Sequence, residues 1–228
     1  MLDFKNNEFI NHLSDFKAIL FDMDGTLINS EKLHAEALKK VLLMENQHIS
    51  VTQIENDFLG LPDNEVYKRI YSQGLYSLLK SPFCKNESDF ISLKNFYFIE
   101  LIDKMSDQDF HKLLLKDIHF FLRLLKSKAL KIGLVSASEF LLIQKTLTKA
   151  NLIEFFDEIT PRLNDGPNKP HPHPYQITMD KLNVKPSETL IFEDSPTGLE
   201  AAYASQAKKV ILVENFHHHS RGINDVTF

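Results

Sequence analysis

The sequence predicts an α/β fold, a parallel sheet between helices with an all-helical domain inserted after the first strand. Three observations predict it. A short apolar run, Ala18-Ile19-Leu20-Phe21, stops at two carboxylates one residue apart, Asp22 and Asp24. Apolar residues on both of its faces mark a strand buried in mid-sheet. From about residue 34 to 105 no convincing strand is found, whereas from Lys131 onward strands and helices alternate as in parallel β-α-β units.

Residues 1–16 read as a short amphipathic helix through Phe9, Ile10, Leu13 and Phe16. After the first strand Ser30-Glu31 opens a helix reaching Leu43, with Leu33, Ala37, Val41 and Leu42 at helical spacing. Helical patterns follow near 52–58, 63–73 and 88–105, separated by Gly60-Leu61-Pro62, Gly74 and Ser81-Pro82. Ser88 is the expected cap of the last, and Phe90, Leu93, Phe96, Tyr97 and Leu101 its apolar face. The expected division is a cap domain at 34–105 and a core domain at 1–33 and 106–228. Residues 109–128 read as one long helix, followed by a strand at 131–135 and a helix at 139–150 that Asn151 ends. A short strand at 156–160, a helix at 174–182, a strand at 189–192, a helix at 198–205 and a strand at 209–213 complete the chain.

At 43% hydrophobic and 25% charged, the 228 residues can build a substantial core. A net charge of -5 and a pI near 6.1 give no electrostatic case for nucleic acid. The polar start lacks the apolar stretch of a signal peptide, and no run approaches membrane-spanning length. One cysteine, Cys84, excludes an internal disulfide framework and fits a reducing compartment. A cytoplasmic monomer without nucleic-acid or membrane partners is expected.

Ligands of open α/β sheets bind beyond the carboxyl ends of the strands, and four such places carry chemistry here. Asp22 and Asp24 repel each other unless a cation, a positive side chain or a shared proton compensates, and Gly25-Thr26 lets the chain turn beside them. Val135 leads into Ser136-Ala137-Ser138, where a hydroxyl and free N–H groups suit an anion, or Ser136 or Ser138 simply caps the next helix. Phe192 leads into a second acidic pair, Glu193-Asp194, before Ser195-Pro196. Lys169, before Pro170, supplies a positive counterweight. The carboxylates suit Mg²⁺, a hard ion that bridges to substrate phosphate, and the hydroxyl, N–H groups and lysine suit the phosphate itself.

The order Asp22-Met23-Asp24-Gly25-Thr26-Leu27, Ser136, Lys169-Pro170, Glu193-Asp194-Ser195 resembles the four motifs of the haloacid dehalogenase superfamily, over about residues 17–213. The helical insert resembles the cap of the branch containing β-phosphoglucomutase and phosphoglycolate phosphatase. The resemblance implies a Rossmann-like core, dependence on Mg²⁺ and a small phosphorylated metabolite as substrate. It implies that Asp22 attacks phosphorus, giving an aspartyl-phosphate, and that Asp24 is the acid and base. The ion would sit on Asp22, the Asp24 backbone carbonyl and Asp194, with Glu193 as ligand or just behind. Ser136 and Lys169 would orient the phosphoryl oxygens, with Gly25, Thr26, Ala137 and His34 near the substrate.

Two departures bear on the substrate. Asp63 and Glu139 stand where the mutase has an arginine and a lysine that hold a second phosphate, which favours hydrolysis over mutase chemistry. Asn29 and His173 replace common aspartates without removing a catalytic group. His171, His173 and His217-His218-His219 read as polar surface, not a zinc site. Tyr67, Lys68, Tyr71 and Tyr97 face either the site or the cap's own core. A dehalogenase would not need Asp24. A phosphoacceptor signalling module would be shorter and lack the insert, and a non-catalytic phosphate-binding protein would not need every reactive group.

Overall fold

The computed structural model describes residues 4–44, 49–58, 61–72 and 84–214, with the backbone alone for 71 and 72. Five parallel strands form the sheet: β1 (Ala18–Phe21), β2 (Lys131–Val135), β3 (Glu158–Thr160), β4 (Thr189–Glu193) and β5 (Lys209–Leu212). Their order is β3-β2-β1-β4-β5, so β1 lies at the centre and the order reverses beside it. Phe21 is in register with Leu134 of β2 and Phe192 of β4, which brings the ends of these three strands level. The next residues of β1 and β4 therefore emerge side by side at the crevice where α/β sheets bind ligands.

Strand alternation sorts β1 between two layers. Ile19 and Phe21 join a cluster with Phe121, Leu122 and Leu125 of α7 (Ile118–Ser127) and Leu142, Ile143 and Leu147 of α8 (Phe140–Lys149). Ala18 and Leu20 join Tyr175 and Met179 of α9 (His173–Lys181) and Ala201 and Ala202 of α10 (Pro196–Ala204). Every β1 residue is fully buried, as expected of a strand covered on both faces. Phe21 stacks on Phe192 at 5.0 Å between centroids, and Phe4, beside the short α1 (Asn7–His12), stacks on Phe121 at 4.0 Å.

Between β1 and β2 the chain is helical: α2 (Glu31–Met44), α3 (Val51–Phe58), α4 (Asp63–Ser72), α5 (Glu87–Lys104) and α6 (Asp107–His111), then α7. Leu38, Val41 and Leu42 of α2 pack with Ile54, Phe58, Val66, Ile70, Phe90 and Ile91 in a second core. Further along α5, Phe98 and Ile102 belong instead to the core under the sheet. With Ala37 of α2 also in the core under the sheet, α2 and α5 tie the two cores together.

Four local expectations change, the first being Phe96, expected on the apolar face of α5 and 61% exposed. The span 109–128 is two helices, because Leu113 and Leu115 are drawn out to pair with the turn after β1: Asn29 N–H donates to Leu113 O, and Leu115 N–H to Leu27 O, each at 2.8 Å. Asp117 then takes a left-handed φ of 60° before α7. The cap of α5 is Asn86, whose side chain accepts from Asp89 N–H, in place of Ser88. The third strand shrinks to three residues, Glu158–Thr160, preceded by a 3₁₀ turn at Ile153–Phe155 and an irregular Phe156-Asp157. The expected breaks at Gly60, Gly74 and Ser81-Pro82, and the three histidines at 217–219, lie outside the described residues.

Gly133 on β2 lets α9 approach the sheet, since a Cβ there would stand 2.6 Å from Leu20 Cδ2 and 2.8 Å from Thr178 Cγ2. Gly133→Ala should lower the unfolding free energy by about 1–3 kcal/mol through overpacking, measured by urea denaturation.

Candidate active site

The end of β1 builds the first wall. Asp22 N–H donates to Phe192 O at 3.0 Å, continuing the sheet one residue further and aiming the side chain at the end of β4. The chain then turns through Gly25, at φ +82°, closed by Gly25 N–H to Ile28 O at 2.8 Å and Leu27 N–H to Met23 O at 2.9 Å. A Cβ on Gly25 would collide with the Asp194 carboxylate, so glycine is required for closeness as well as conformation. Thr26, fully buried, donates its hydroxyl to Asp194 Oδ1 at 2.7 Å. The two acidic pairs are thereby bound to each other.

The second wall is Lys169. Its Nζ donates to Asp22 Oδ1 and Glu193 Oε1, both at 2.6 Å, and to Val135 O at 3.0 Å. Only 6% of its side chain is exposed. Asn168 braces the loop that delivers it, accepting from Leu163 N–H at 2.8 Å and donating to Leu163 O at 2.9 Å. Tyr175 lies under the ammonium at 4.9 Å and donates its hydroxyl to Glu193.

Glu193 is fully buried and heavily engaged. Oε1 accepts from Lys169 and Tyr175, and Oε2 from the N–H groups of Asp194 (2.7 Å) and Ser195 (2.9 Å) and from the Ser195 hydroxyl. A Cβ on Gly198 would collide with this carboxylate. Ser195 caps α10, accepting from Gly198 N–H at 3.0 Å.

Asp24 makes a separate set of hydrogen bonds. Its Oδ1 accepts from Ser30 Oγ at 2.5 Å and faces His34 Nε2 at 3.4 Å, and its Oδ2 accepts from Ser138 Oγ at 2.9 Å. His34 stacks on Phe98 at 4.2 Å, and its Nδ1 has no hydrogen-bond partner. Ser136 is buried, and its hydroxyl accepts from Ser138 N–H at 3.0 Å. Neither serine caps α8, whose N-cap is Glu139 with no side-chain bond.

The charges follow from this geometry. Burial pushes Asp22 well above the ordinary carboxylate range; Lys169 opposes it, while Glu193, Asp194 and Asp24 add to the rise. Burial also works against the charge on Lys169, but Asp22, Tyr175 and Glu193 outweigh it and hold its pKa up. Asp24 is likewise pushed up by burial, yet His34, Ser30 and Ser138 bring it down to about 2.

Asp22, Glu193 and Asp194 offer carboxylate oxygens within 4.8 Å of one another, the group of three possible metal ligands found among the described residues. Three hard oxygen donors facing one lysine leave negative charge uncompensated, which fits a divalent cation. Since the hydrogen bonds above already occupy both oxygens of Glu193, Asp22 and Asp194 are the better ligands of the three.

A cavity of about 570 Å³ opens over these groups, between the sheet and α2 to α5. Asp22, Asp24, His34, Ala137, Lys169 and Asp194 line it. Thr26 and Glu193 stand behind the wall. Glu139 is exposed and away from the cavity, whereas Asp63 lines it in an ion pair with Lys94. Burial raises Asp63, but Lys94, His34 and Arg162 bring it below the usual range. Tyr67 packs with Phe90 in the second core, Lys68 is exposed beside Glu65, and Tyr97 donates its hydroxyl to Met44 Sδ; the side chain of Tyr71 lies outside the described residues. Ser30, Ser138, Asn168, Tyr175, Lys94 and Arg162 were not singled out as site residues from sequence; of these, Ser138 had a visible signal, a hydroxyl two residues past a strand end.

A family model described as "Haloacid dehalogenase-like hydrolase" matches residues 19–212. A phosphorylated carbohydrates phosphatase of Thermotoga maritima is 28% identical over 199 residues, 85% of this chain and 83% of its own. A phosphoglycolate phosphatase of Aquifex aeolicus is 30% identical over 92% of this chain and 91% of its own. Among solved structures, a β-phosphoglucomutase from Clostridium difficile superposes with a TM-score of 0.69 at 27% identity, covering 85% of this chain and 83% of that one.

Lys169→Met should cost about 3–5 kcal/mol of unfolding free energy at pH 7 without divalent cations, because it leaves buried carboxylates uncompensated. The folded-state pKa of Asp22 lies above its unfolded value, so the ionised form carries the penalty. The deficit should therefore narrow as pH falls through that raised pKa, and urea titrations at pH 7 and pH 5 measure it.

Proposed function

The chain belongs to the haloacid dehalogenase-like hydrolase family, and we propose that it is a Mg²⁺-dependent phosphatase hydrolysing a small phosphomonoester through an aspartyl-phosphate on Asp22. The observation that carries this reading is the single lysine that joins Asp22 to Glu193 at 2.6 Å from each, below a cavity large enough for a small metabolite. The sugar-phosphate and phosphoglycolate phosphatases among its relatives support the same substrate range. Within this proposal residues 34–105 act as the cap, residues 1–33 and 106–228 as the core, and the protein works as a cytoplasmic monomer. No helix among the described residues is long and apolar enough to cross a membrane.

Mg²⁺ would be held by the Asp22 and Asp194 carboxylates and the Asp24 backbone carbonyl, with Glu193 behind them, and when bound it supplies positive charge to the phosphoryl group. Asp22 attacks phosphorus in line, forming a new P–O bond as the ester P–O bond breaks. Asp24 gives a proton to the departing oxygen. In the free protein Asp24 is ionised, so its proton must come with the substrate, whose phosphate charge raises the carboxyl's affinity for it. A water then attacks phosphorus, passing its proton to Asp24 and restoring the Asp22 carboxylate. Lys169 holds Asp22 through Oδ1, and with Ser136 and the N–H groups of the Ser136–Ser138 turn it orients the phosphoryl oxygens. Gly25 supplies the close turn, Thr26 steadies Asp194, and His34 and Ser138 hold Asp24 in position.

Asp22→Asn should reduce Mg²⁺-dependent p-nitrophenyl phosphate hydrolysis at least 10³-fold with an unchanged circular dichroism spectrum. Undiminished turnover rules the assignment out. Mg²⁺ at a hundred times its dissociation constant should stabilise the wild type by about 2.7 kcal/mol. Asp194→Asn should abolish that thermal shift, a readout independent of activity.

A further inference from the structure

The cavity wall contains an ion pair that the proposed chemistry does not use. Lys94 of α5, with 6% of its side chain exposed, is bonded to Asp63 at the start of α4, with 22% exposed. Both side chains line the cavity. A lone buried lysine facing a phosphatase pocket would be a receptor for a second anionic group on the substrate. Asp63 occupies that receptor from within the protein. Over the whole cavity lining the acids Asp22, Asp24, Glu31, Glu55, Asp63, Glu65 and Asp194 outnumber the cations Lys94, Arg162 and Lys169, and α2 and α3 contribute the apolar Leu38, Ile54 and Phe58. With its charge already matched by Asp63, Lys94 offers no free cation to a further negative group, and the apolar lining suits carbon.

We propose that the Asp63–Lys94 pair is a selectivity filter that admits phosphomonoesters of uncharged alcohols, such as sugar or polyol monophosphates, and disfavours bisphosphates and phosphorylated carboxylic acids. The inference rests on the phosphatase reading and deepens it by naming the class of leaving group. Asp63 and Lys94 act on the remote part of the substrate, so they set binding without touching the reacting atoms. Truncating one partner of the pair is not equivalent to truncating the other. Loss of Asp63 exposes a cation to the substrate, and loss of Lys94 exposes an anion.

The test reads binding in an Asp22→Asn background, so that ligands persist. Calorimetric titration with Mg²⁺ present compares glucose 6-phosphate with glucose 1,6-bisphosphate. With the pair intact the monophosphate should bind at least tenfold tighter. Asp63→Asn should shift the ratio at least tenfold towards the bisphosphate, and adding Lys94→Met should reverse that shift, because the gain needs the freed ammonium. If Asp63→Asn does not fold, Lys94→Met alone must move the ratio further against the bisphosphate. Ratios that stay within twofold in the folded variants, or a preference for the bisphosphate with the pair intact, overturn the filter. Failure of the wild type to hydrolyse p-nitrophenyl phosphate would instead count against the phosphatase reading and leave these binding ratios to decide the filter separately.

Discussion

One ammonium group carries the arrangement. Lys169 bridges the ends of β1 and β4 through Asp22 and Glu193 and reaches Val135 at the end of β2, so three neighbouring strands share a single buried cation. Removing it would leave two carboxylates facing each other in a poorly solvated place, where uncompensated charge costs several kcal/mol. Much else around the sheet serves this contact. Asn168 stiffens the loop before it, Tyr175 lies under it, and the N–H groups after β4 hold the far side of Glu193. The acid cluster still exceeds the single lysine, and that imbalance makes the site receptive to a metal ion.

The sheet supplies the precision. Because β1 pairs in register with both neighbours, a one-residue slip would turn Asp22 away from Lys169 and bury a different face. Glycines at 25 and 198 then let carboxylates approach the backbone more closely than any side chain would permit. Asp24 is treated differently from Asp22, although one residue separates them. Asp22 is surrounded by acids and one lysine, while Asp24 is surrounded by two hydroxyls and an imidazole. Burial raises Asp22 while His34, Ser30 and Ser138 lower Asp24, so in the free protein Asp24 is the carboxylate held ionised.

Much of this was legible in the residues. The βα alternation, the buried first strand and the acids and hydroxyl at strand ends are local signals, and each survives folding because periodicity and strand ends are written in neighbouring residues. Less legible were features that depend on distant partners. The break between α6 and α7 arises because residues after β1 take up the backbone groups of Leu113 and Leu115, which no helical pattern reveals. Thr26 was expected near the substrate, and its hydroxyl goes to Asp194, 168 positions away. Asp63 stood out in the sequence as an acid in place of a cation, but its pairing with Lys94 required the packing of α4 against α5. The strand order was not readable from composition or spacing, since it depends on how the crossovers fold back.

The central claim is that Asp22 forms a covalent bond to phosphorus. Rapid acid quenching during turnover, followed by borohydride reduction and peptide mass spectrometry, tests it directly, since an acyl phosphate is reduced to homoserine and a free carboxylate is not. The account predicts homoserine at position 22 after turnover of p-nitrophenyl phosphate with Mg²⁺, and none without substrate. An unmodified Asp22 peptide during full turnover, or reduction at a different acid, would contradict it.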